Sequence, residues 1–448
     1  MAGRVRWGAI ATGASRSADA GPRSRLALTG PDDSPRPLSG GPGNPVRRRR
    51  LPGQPVPRAG VYQPVTPAHL YLHVPFCVRR CSYCDFAVTA MARAPLDAWL
   101  DAVTTELALR AREEEWRLPL RLETVYCGGG TPSLLGAAAM ALLRERLAPL
   151  AEWDASAEWT CEANPESFSP EVAKGWAEAG VNRISLGVQT FDEGALRWMG
   201  RLHGPDGPAR ALDAARSAGL EDISLDLIFG LPERLSRNWS EDLERTLTLA
   251  PSHVSLYGLT AEPGTPLGRW VDAGRERIAD EESYAAEYLA AAARLGAAGY
   301  VHYEVSNFAR PGRASRHNQA YWDGRAYLGL GPGAHSFLPP RRAWNVREWA
   351  VYRARLERGE TPTEDSESVG GETAALERLW LQLRQESGVP RDELGPAARD
   401  RAAVWVEHGW ARTGGASVSL TPGGWLLLDR LAVELDELQS RAPARVIA

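Results

Sequence analysis

The chain has 448 residues, of which 44% are hydrophobic, and a formal net charge of −4. This length predicts two or three domains with a packed core, and the near-neutral charge gives no general signal for binding nucleic acid or a membrane surface. Its five cysteines do not resemble a disulfide framework, which favours a reducing cytosol, and no apolar run approaches the roughly 20 residues of a membrane-spanning helix.

Residues 1–66 differ in composition from the rest of the chain. They are dense in proline, glycine and arginine and have almost no hydrophobic period. Such a segment cannot bury enough apolar area to offset its ordering entropy, so we predict a disordered extension. The four arginines at 47–50 leave binding of an acidic partner and a transit peptide open as alternatives to a plain unstructured tail or an over-extended start.

Short apolar runs alternate with helix-like segments between residues 67 and 310. The runs cover 70–74, 123–127, 158–163, 183–188, 222–229 and 253–259, with a further candidate at 300–305. The helix-like segments include 95–115, 170–180 and 207–219. This alternation predicts an α/β fold whose parallel sheet is closed, or partly closed, into a (β/α)6 TIM-like barrel. A doubly wound open sheet is the architectural alternative.

Polar or backbone-exposing groups stand at the ends of all six runs. Because the carboxyl ends of parallel strands meet at one edge of a barrel, we expect these groups to form a single site. In chain order they are the cysteines at 77–84, the turn "GGGTP" (128–132), Glu162, Gln189, Asp226 and Glu262.

The stretch "YLHVPFCVRRCSYCDF" (71–86) places three cysteines within eight residues, at Cys77, Cys81 and Cys84. A structural zinc site requires four Cys or His ligands, but no fourth cysteine is near and His73 lies inside a predicted strand. A [4Fe–4S] cluster held by three thiolates leaves one iron without a protein ligand, and that iron can bind a small molecule. The triplet therefore favours an iron–sulfur cluster with one open iron.

This triplet, followed by a glycine-rich turn after the next strand, resembles the radical S-adenosylmethionine (SAM) superfamily. The resemblance implies that the amino and carboxylate groups of SAM chelate the open iron. It extends over roughly residues 68–440 to the branch that contains oxygen-independent coproporphyrinogen III oxidases and HemW-type heme chaperones. The further matching stretches are "VYCGGGTPSLL", "TCEANPES", "NRISLGVQTFDEGALRWMGRLH", "SLDLIFGLP", "SLYGLTAEPGTPL" and "RHNQAYWDGRAYLGLGPGAHS".

The resemblance implies specific roles for residues of this chain. Cys77, Cys81 and Cys84 would hold the cluster. Without the resemblance, Tyr71 could pack in the barrel, and the polar residues could be solvated loop side chains. The residues that match SAM-contacting positions of the porphyrin-oxidising relatives are Tyr71, Tyr83, Gly129, Gly130, Thr131, Glu162, Gln189, Arg201 and Asp226.

Two features of the sequence distinguish the two branches of the family that the chain resembles. Coproporphyrinogen oxidases carry another cysteine two places after the third, whereas this chain has Phe86 there, as the HemW-like branch does. The segment "RHNQAYW" (316–322) resembles the H-N-x-x-Y-W motif associated with heme binding in that branch. The motif implies His317 as an axial ligand of heme iron, with Tyr321 and Trp322 beside the macrocycle. By itself, one histidine beside aromatic residues is an ordinary hydrogen-bonded residue.

The chain after the barrel is predicted to have two parts. Residues 311–362 hold the heme motif and a connection. Residues 363–448 read as helix, helix, a small hairpin and a final helix that opens at Thr421, which resembles a winged-helix-like module. Because this module is not notably basic, we expect no nucleic-acid partner.

The resemblance implies a cytosolic heme chaperone that binds a [4Fe–4S] cluster, SAM and heme, and is not an integral membrane protein. It would deliver heme to acceptor hemoproteins, with membrane-associated respiratory complexes among the candidates. The alternative is an oxygen-independent coproporphyrinogen III oxidase, which converts two propionates to vinyls by radical oxidative decarboxylation. A chaperone is favoured over the enzyme, and a purely structural metal-binding scaffold is disfavoured by the groups at the strand ends.

Overall fold

The computed structural model describes residues 65–440. The predicted disordered extension lies outside the described residues except for positions 65 and 66, and so does the end of the predicted C-terminal module, 441–448. No helix in the described part of the chain is long and apolar enough to span a membrane.

Strands and helices alternate through most of residues 65–440. The strands are β1 (His69–Val74), β2 (Phe76–Cys77), β3 (Thr89–Ala90), β4 (Leu120–Gly129), β5 (Ala151–Ala163), β6 (Arg183–Gln189), β7 (Asp222–Phe229), β8 (His253–Gly258), β9 (Val301–Glu304), β10 (Asn307–Ala309), β11 (Tyr327–Leu330), β12 (His335–Leu338), β13 (Arg341–Asn345), β14 (Thr363–Ser368), β15 (Val389–Pro390), β16 (Ala411–Gly414) and β17 (Ser417–Leu420). The helices are α1 (Leu96–Glu113), α2 (Ala139–Leu147), α3 (Pro170–Ala179), α4 (Glu193–Met199), α5 (Gly207–Ser217), α6 (Trp239–Leu249), α7 (Pro266–Asp272), α8 (Glu281–Ala297), α9 (Arg316–Trp322), α10 (Trp349–Glu357), α11 (Gly371–Arg384), α12 (Pro396–Glu407), α13 (Pro422–Trp425) and α14 (Leu428–Ser440).

One 12-stranded sheet organises the barrel, in the order β14-β13-β12-β11-β1-β4-β5-β6-β7-β8-β10-β9. The run from β11 through β1 to β8 is parallel, and antiparallel strands extend both ends. The predicted α/β fold with a partial (β/α)6 barrel is confirmed. The parallel strand β11, which pairs with the outer side of β1, was not predicted.

Burial explains why these apolar runs are strands of a parallel sheet. All six residues of β1 are buried, as expected where helices cover one face of a sheet and the barrel interior fills the other. Local signals set the helix ends: the Ser169 hydroxyl caps α3 by accepting from the Val172 amide, and Gly180 ends the helix in the left-handed conformation. The strand ends are thereby held in register at one edge of the barrel.

The C-terminal module contains a small sheet in the order β15-β17-β16, packed against α11, α12 and α13. Its own hydrophobic core includes the buried rings of Trp405 and Trp425. The predicted hairpin is present, but β15 adds a third strand where only a break was expected. The predicted final helix begins after Thr421, ends at Trp425 and resumes at Leu428 as α14.

A buried ion pair fastens this module to the barrel. Arg384 at the end of α11 places its Nε 2.7 Å from Oε2 of Glu304 in β9, and both side chains are buried. The Arg384 carbonyl also accepts a hydrogen bond from the Val305 amide at 3.1 Å. Burial raises the pKa of Glu304, so the guanidinium is needed to offset the desolvation of its carboxylate.

Replacing Arg384 with methionine should destabilise the fold by roughly 3–5 kcal/mol, because Glu304 would be left buried without its cation. Urea denaturation of the whole chain measures the effect. The matched control is Arg412→Met, which removes a pair with Glu386 in which both side chains are about half exposed, and it should change stability by less than about 1 kcal/mol. Equal effects of the two substitutions would contradict the anchoring role of Arg384.

Candidate functional site

A cavity of about 270 Å³ opens at the carboxyl ends of the parallel strands. The cysteine loop forms one side, and the glycine turn and strand ends form the others. The predicted site residues on its wall are Cys77, Cys81, Tyr83, Cys84, Gly129, Gly130, Thr131, Glu162, Gln189, Arg201 and Asp226, together with Glu262. The structure thus brings most of the predicted residues to one place, while their individual roles stay predictions.

The three cysteines are half-buried: Cys77 ends β2, and Cys81 and Cys84 lie on the loop that follows it. The Thr131 hydroxyl donates to the Cys77 sulfur at 3.5 Å, which ties this loop to the glycine turn. Burial raises the pKa of Cys77 and raises that of Cys84 to about 12, so ionised thiolates here would require a nearby positive charge. The iron of an iron–sulfur cluster would supply that charge, and soft thiolate ligands suit such a cluster. Among the described residues, no three His, Cys, Asp or Glu side chains are arranged around a single metal ion.

Close packing around the turn at 128–130 requires glycine residues there. A Cβ at Gly128 would lie 2.7 Å from the Glu162 carboxyl carbon, and one at Gly130 would lie 2.7 Å from the Phe76 carbonyl oxygen. Gly129 has a φ of 106°, in the left-handed region that favours glycine. Its amide donates to Glu162 Oε2 at 2.8 Å. The turn therefore passes close to β5 and fixes the Glu162 carboxylate through the Gly129 amide.

Two partly buried carboxylates, those of Glu162 and Asp226, line the cavity. Glu162 also accepts a hydrogen bond from the Tyr126 hydroxyl at 2.9 Å, and burial raises the pKa of Glu162 to about 7. The Ser185 hydroxyl lies 2.9 and 2.8 Å from the two oxygens of Asp226, and burial raises the pKa of Asp226 as well. Carboxylates held in this way suit a cationic ligand, such as the sulfonium and amino groups of SAM.

Arg201 and Gln189 complete the wall. Arg201 donates to the Asn164 side-chain oxygen at 2.7 Å and to the Gly187 carbonyl at 2.5 Å, so its guanidinium is fixed. Gln189 has a φ of 69° where the pairing of β6 with β7 shifts register. A non-glycine residue in this conformation stores backbone strain, and such residues cluster at ligand sites.

Tyr71 is not among the residues that line this cavity, and its predicted contact with SAM stays a prediction. Side chains alternate along a strand, so Tyr71 and His73 point to the same side of β1. The Tyr71 hydroxyl pairs with His73 Nδ1 at 3.0 Å, and its ring stacks 6.0 Å from that of Tyr126. The barrel-packing alternative therefore describes Tyr71 in this structure.

His317 also lies away from the cavity. It is fully buried, its Nδ1 is 2.6 Å from the Thr124 hydroxyl, and its Nε2 is 2.8 Å from the Tyr321 hydroxyl. Burial lowers the pKa of His317 to about 3, so the ring is neutral. Because both nitrogens are occupied, coordination of heme iron by His317 would require one of these hydrogen bonds to break, and it stays a prediction.

Three supporting residues were not predicted from the sequence. Tyr126 holds Glu162, Asn164 holds Arg201, and Ser185 holds Asp226. The only available signal was position: Tyr126 lies two residues before the glycine turn, and Asn164 stands in the quoted stretch "TCEANPES". Ser185 carries no such signal, because its partner lies 41 residues away on the neighbouring strand.

The barrel with three cysteines and a glycine turn at one cavity defines the class of protein. Residues 71–245 match the model of the radical SAM superfamily, which implies a [4Fe–4S] cluster and SAM as cofactors. The fold is similar to the solved structure of the Escherichia coli coproporphyrinogen III oxidase HemN, a radical SAM enzyme, with a TM-score of 0.69 and 22% identity over 84% of this chain and 91% of that chain. At this identity the likeness shows the fold alone.

Sequence comparison gives the family. The chain is 38% identical over 369 residues to the heme chaperone HemW of Mycobacterium tuberculosis, covering 82% of this chain and 94% of the relative. It is 34% identical to HemW of Bacillus subtilis, covering 72% of this chain and 84% of that relative. The chain belongs to the HemW family, which confirms the predicted resemblance and supports a function related to heme.

The raised pKa of Glu162 predicts a pH dependence of SAM binding. The buried carboxyl is protonated below about pH 7, and a cationic ligand requires its ionised form, so affinity should rise as the pH rises through 7. Since ionisation changes about tenfold per pH unit below the pKa, binding should be about tenfold tighter at pH 8 than at pH 6. Equilibrium dialysis of labelled SAM against anaerobically reconstituted protein measures this change.

Glu162→Gln is the matched control for that titration. It should bind SAM more weakly at pH 8 and should lose the part of the pH profile that belongs to Glu162, while any titration of SAM itself appears in both proteins. Identical pH profiles for the wild type and the variant would show that Glu162 does not face the cation.

Proposed function

We propose that this chain is a heme chaperone that binds a [4Fe–4S] cluster and SAM at the strand-end cavity, binds heme, and delivers heme to acceptor hemoproteins. Cys77, Cys81 and Cys84 hold the cluster, and the residues on the cavity wall hold SAM. The observation that best supports this proposal is that three half-buried cysteines share one cavity with two partly buried carboxylates and a turn whose glycines have no room for a Cβ.

The chain's own residues orient the two carboxylates and limit the access of water to the cavity. The amide of Gly129 and the hydroxyl of Tyr126 fix Glu162, and Ser185 fixes Asp226, so both carboxylates are oriented before a ligand arrives. Tyr83 and Leu134 add apolar surface to the cavity wall and limit access of water. When bound, the cluster supplies one-electron chemistry and an iron without a protein ligand.

The heme part of the proposal is supported by the relatives, which are themselves named heme chaperones. Phe86 supports a chaperone over the oxidase, because it stands where the oxidase branch carries a further cysteine. The Phe86 side chain is 37% exposed and lies on the wall of the cluster cavity, where no fourth thiol is available from the loop. Acceptor hemoproteins, including membrane-associated respiratory complexes, are the proposed recipients.

The cluster is tested by metal and sulfide analysis. Anaerobic reconstitution should yield about four iron and four sulfide per chain, and Cys81→Ser should abolish the brown absorbance near about 400 nm. The control is Cys127→Ala, which removes a fully buried thiol of the hydrophobic core and should retain the cluster. Native protein with stoichiometric zinc and no sulfide would contradict this assignment.

The function is tested by parallel anaerobic incubations of the reconstituted protein. With heme, we expect about one bound heme per chain and transfer of that heme to an apo-form of a b-type hemoprotein, followed by absorbance. With coproporphyrinogen III, SAM and a reductant, we expect no protoporphyrinogen IX, because the chain lacks the further cysteine of the oxidases. Robust turnover of coproporphyrinogen without heme transfer would instead establish the oxidase alternative.

A further inference from the structure

A chain of three hydrogen bonds leads to the sulfur of Cys77. Arg201 Nη2 donates to the side-chain oxygen of Asn164 at 2.7 Å. Asn164 Nδ2 donates to Thr131 Oγ1 at 3.3 Å, and the Thr131 hydroxyl donates to Cys77 Sγ at 3.5 Å. All four residues line the strand-end cavity. The chain therefore joins a fixed positive charge to one cysteine of the proposed cluster site.

The donors and acceptors of this chain can be arranged in only one direction. A guanidinium has no acceptor, so the side-chain oxygen of Asn164 must face Arg201, and its Nδ2 must face Thr131. The other hydrogen on Nδ2 is accepted by Glu166 Oε1 at 3.3 Å. Because Nδ2 can only donate, Thr131 Oγ1 accepts from it, and the single hydroxyl proton of Thr131 is left for Cys77.

The backbone holds the Thr131 hydroxyl against this sulfur. The Thr131 amide donates to the carbonyl of Phe76, the residue before Cys77, at 2.8 Å. The preceding amide, of Gly130, donates to the Val74 carbonyl at 2.7 Å. Thr131 is buried, and a hydrogen bond is stronger in such a place than in water. The contact with sulfur is therefore fixed by the fold of the two loops.

A hydrogen bond to a sulfur ligand acts on the electrons of the cluster. Reduction adds one electron, taken from an external one-electron donor, and spreads its negative charge over the iron and the sulfur ligands, while no bond forms or breaks. A proton held against Cys77 stabilises that added charge and so favours the reduced state. Hydrogen bonds to the sulfurs are among the factors that set the reduction potential of iron–sulfur clusters.

We infer that Thr131 is a positioning residue that raises the reduction potential of the cluster through its hydrogen bond to Cys77, and that Asn164 directs the Thr131 proton to the sulfur. The inference rests on the proposed function, because it requires a cluster held by the three cysteines. It goes beyond the resemblance, which implies a contact of Thr131 with SAM and gives Asn164 no role.

The first test is a potentiometric titration of reconstituted, SAM-free protein, followed by the electron paramagnetic resonance of the reduced cluster. Thr131→Val keeps the shape of the side chain and removes the hydroxyl. At a fixed potential it should lower the ratio of reduced to oxidised cluster about tenfold, a shift of about 59 mV to more negative potential. Thr131→Ser retains the hydroxyl and should restore most of the wild-type potential. Since SAM is absent, a contact between Thr131 and SAM cannot contribute.

Thr260→Val is the matched control for this titration. Thr260 lines the same cavity, but its hydroxyl donates to the Gly258 carbonyl at 3.4 Å, so the potential should not change. Iron and sulfide are counted in every variant. Equal potentials of the wild type and Thr131→Val, each with a full cluster, would overturn the inference, as would a Thr131→Ser variant shifted as far as Thr131→Val. A wild type without iron and sulfide would overturn the proposed function instead.

The role of Asn164 is tested with Asn164→Asp, which keeps an acceptor for Arg201 but offers Thr131 an acceptor in place of a donor. The Thr131 proton should then turn to the carboxylate, and the potential should fall. The new charge by itself also lowers the potential, so the same substitution is made in the Thr131→Val background, where its effect should be smaller. Equal effects in the two backgrounds would mean that only the charge acts and would overturn the role of Asn164.

A second measurement uses proteins that keep the hydroxyl, and it decides the question if Thr131→Val assembles no cluster. Electron–nuclear double resonance in deuterated water should detect an exchangeable deuteron coupled to the reduced wild-type cluster. This coupling should weaken in Asn164→Asp, because Thr131 then donates to the carboxylate. Identical deuteron couplings in the two proteins would contradict the inferred direction of the hydrogen bonds.

Discussion

The strand-end site depends on the absence of side chains at one turn. Gly128 and Gly130 have no room for a Cβ, and Gly129 has a positive φ, so only glycines allow the backbone to pass this close to Glu162 and Phe76. That approach lets the Gly129 amide donate to Glu162 across two neighbouring strands. The Glu162 carboxylate is thereby held at the cavity wall, next to the cysteine loop, by the Gly129 amide as well as by the Tyr126 hydroxyl.

Polar and aromatic side chains in the interior of the barrel connect this site with helix α9. Tyr126 donates to Glu162, and its ring is 5.2 Å from that of His317, which in turn bonds to Tyr321. His69 lies 3.0 Å from the Thr124 hydroxyl that also contacts His317. Each of these polar side chains has a hydrogen-bond partner, as a buried polar network requires. Substitutions at His317 will therefore act on the barrel interior as well as on α9.

The sequence was sufficient to predict the barrel strands and most of the residues that line the strand-end cavity. Continuous apolar runs such as β1 reveal a parallel sheet, and the cysteine triplet and glycine turn follow such runs directly. The strand β11 was missed because its four residues, "YLGL", are too short and too rich in glycine to stand out. The placement of Tyr71 depended on the direction of its side chain, which no local pattern encodes. The hydrogen-bond partners of His317 lie as far as 193 residues away in the chain, so no local pattern encodes them either.

Electron–nuclear double resonance of the reduced, reconstituted protein tests the central claim most directly. SAM labelled with nitrogen-15 at its amino group would be bound first. Because Cys77, Cys81 and Cys84 leave one iron without a protein ligand, the account predicts a coupling between the labelled nitrogen and the cluster. Stoichiometric binding of labelled SAM with no such coupling would contradict an open iron at this cavity.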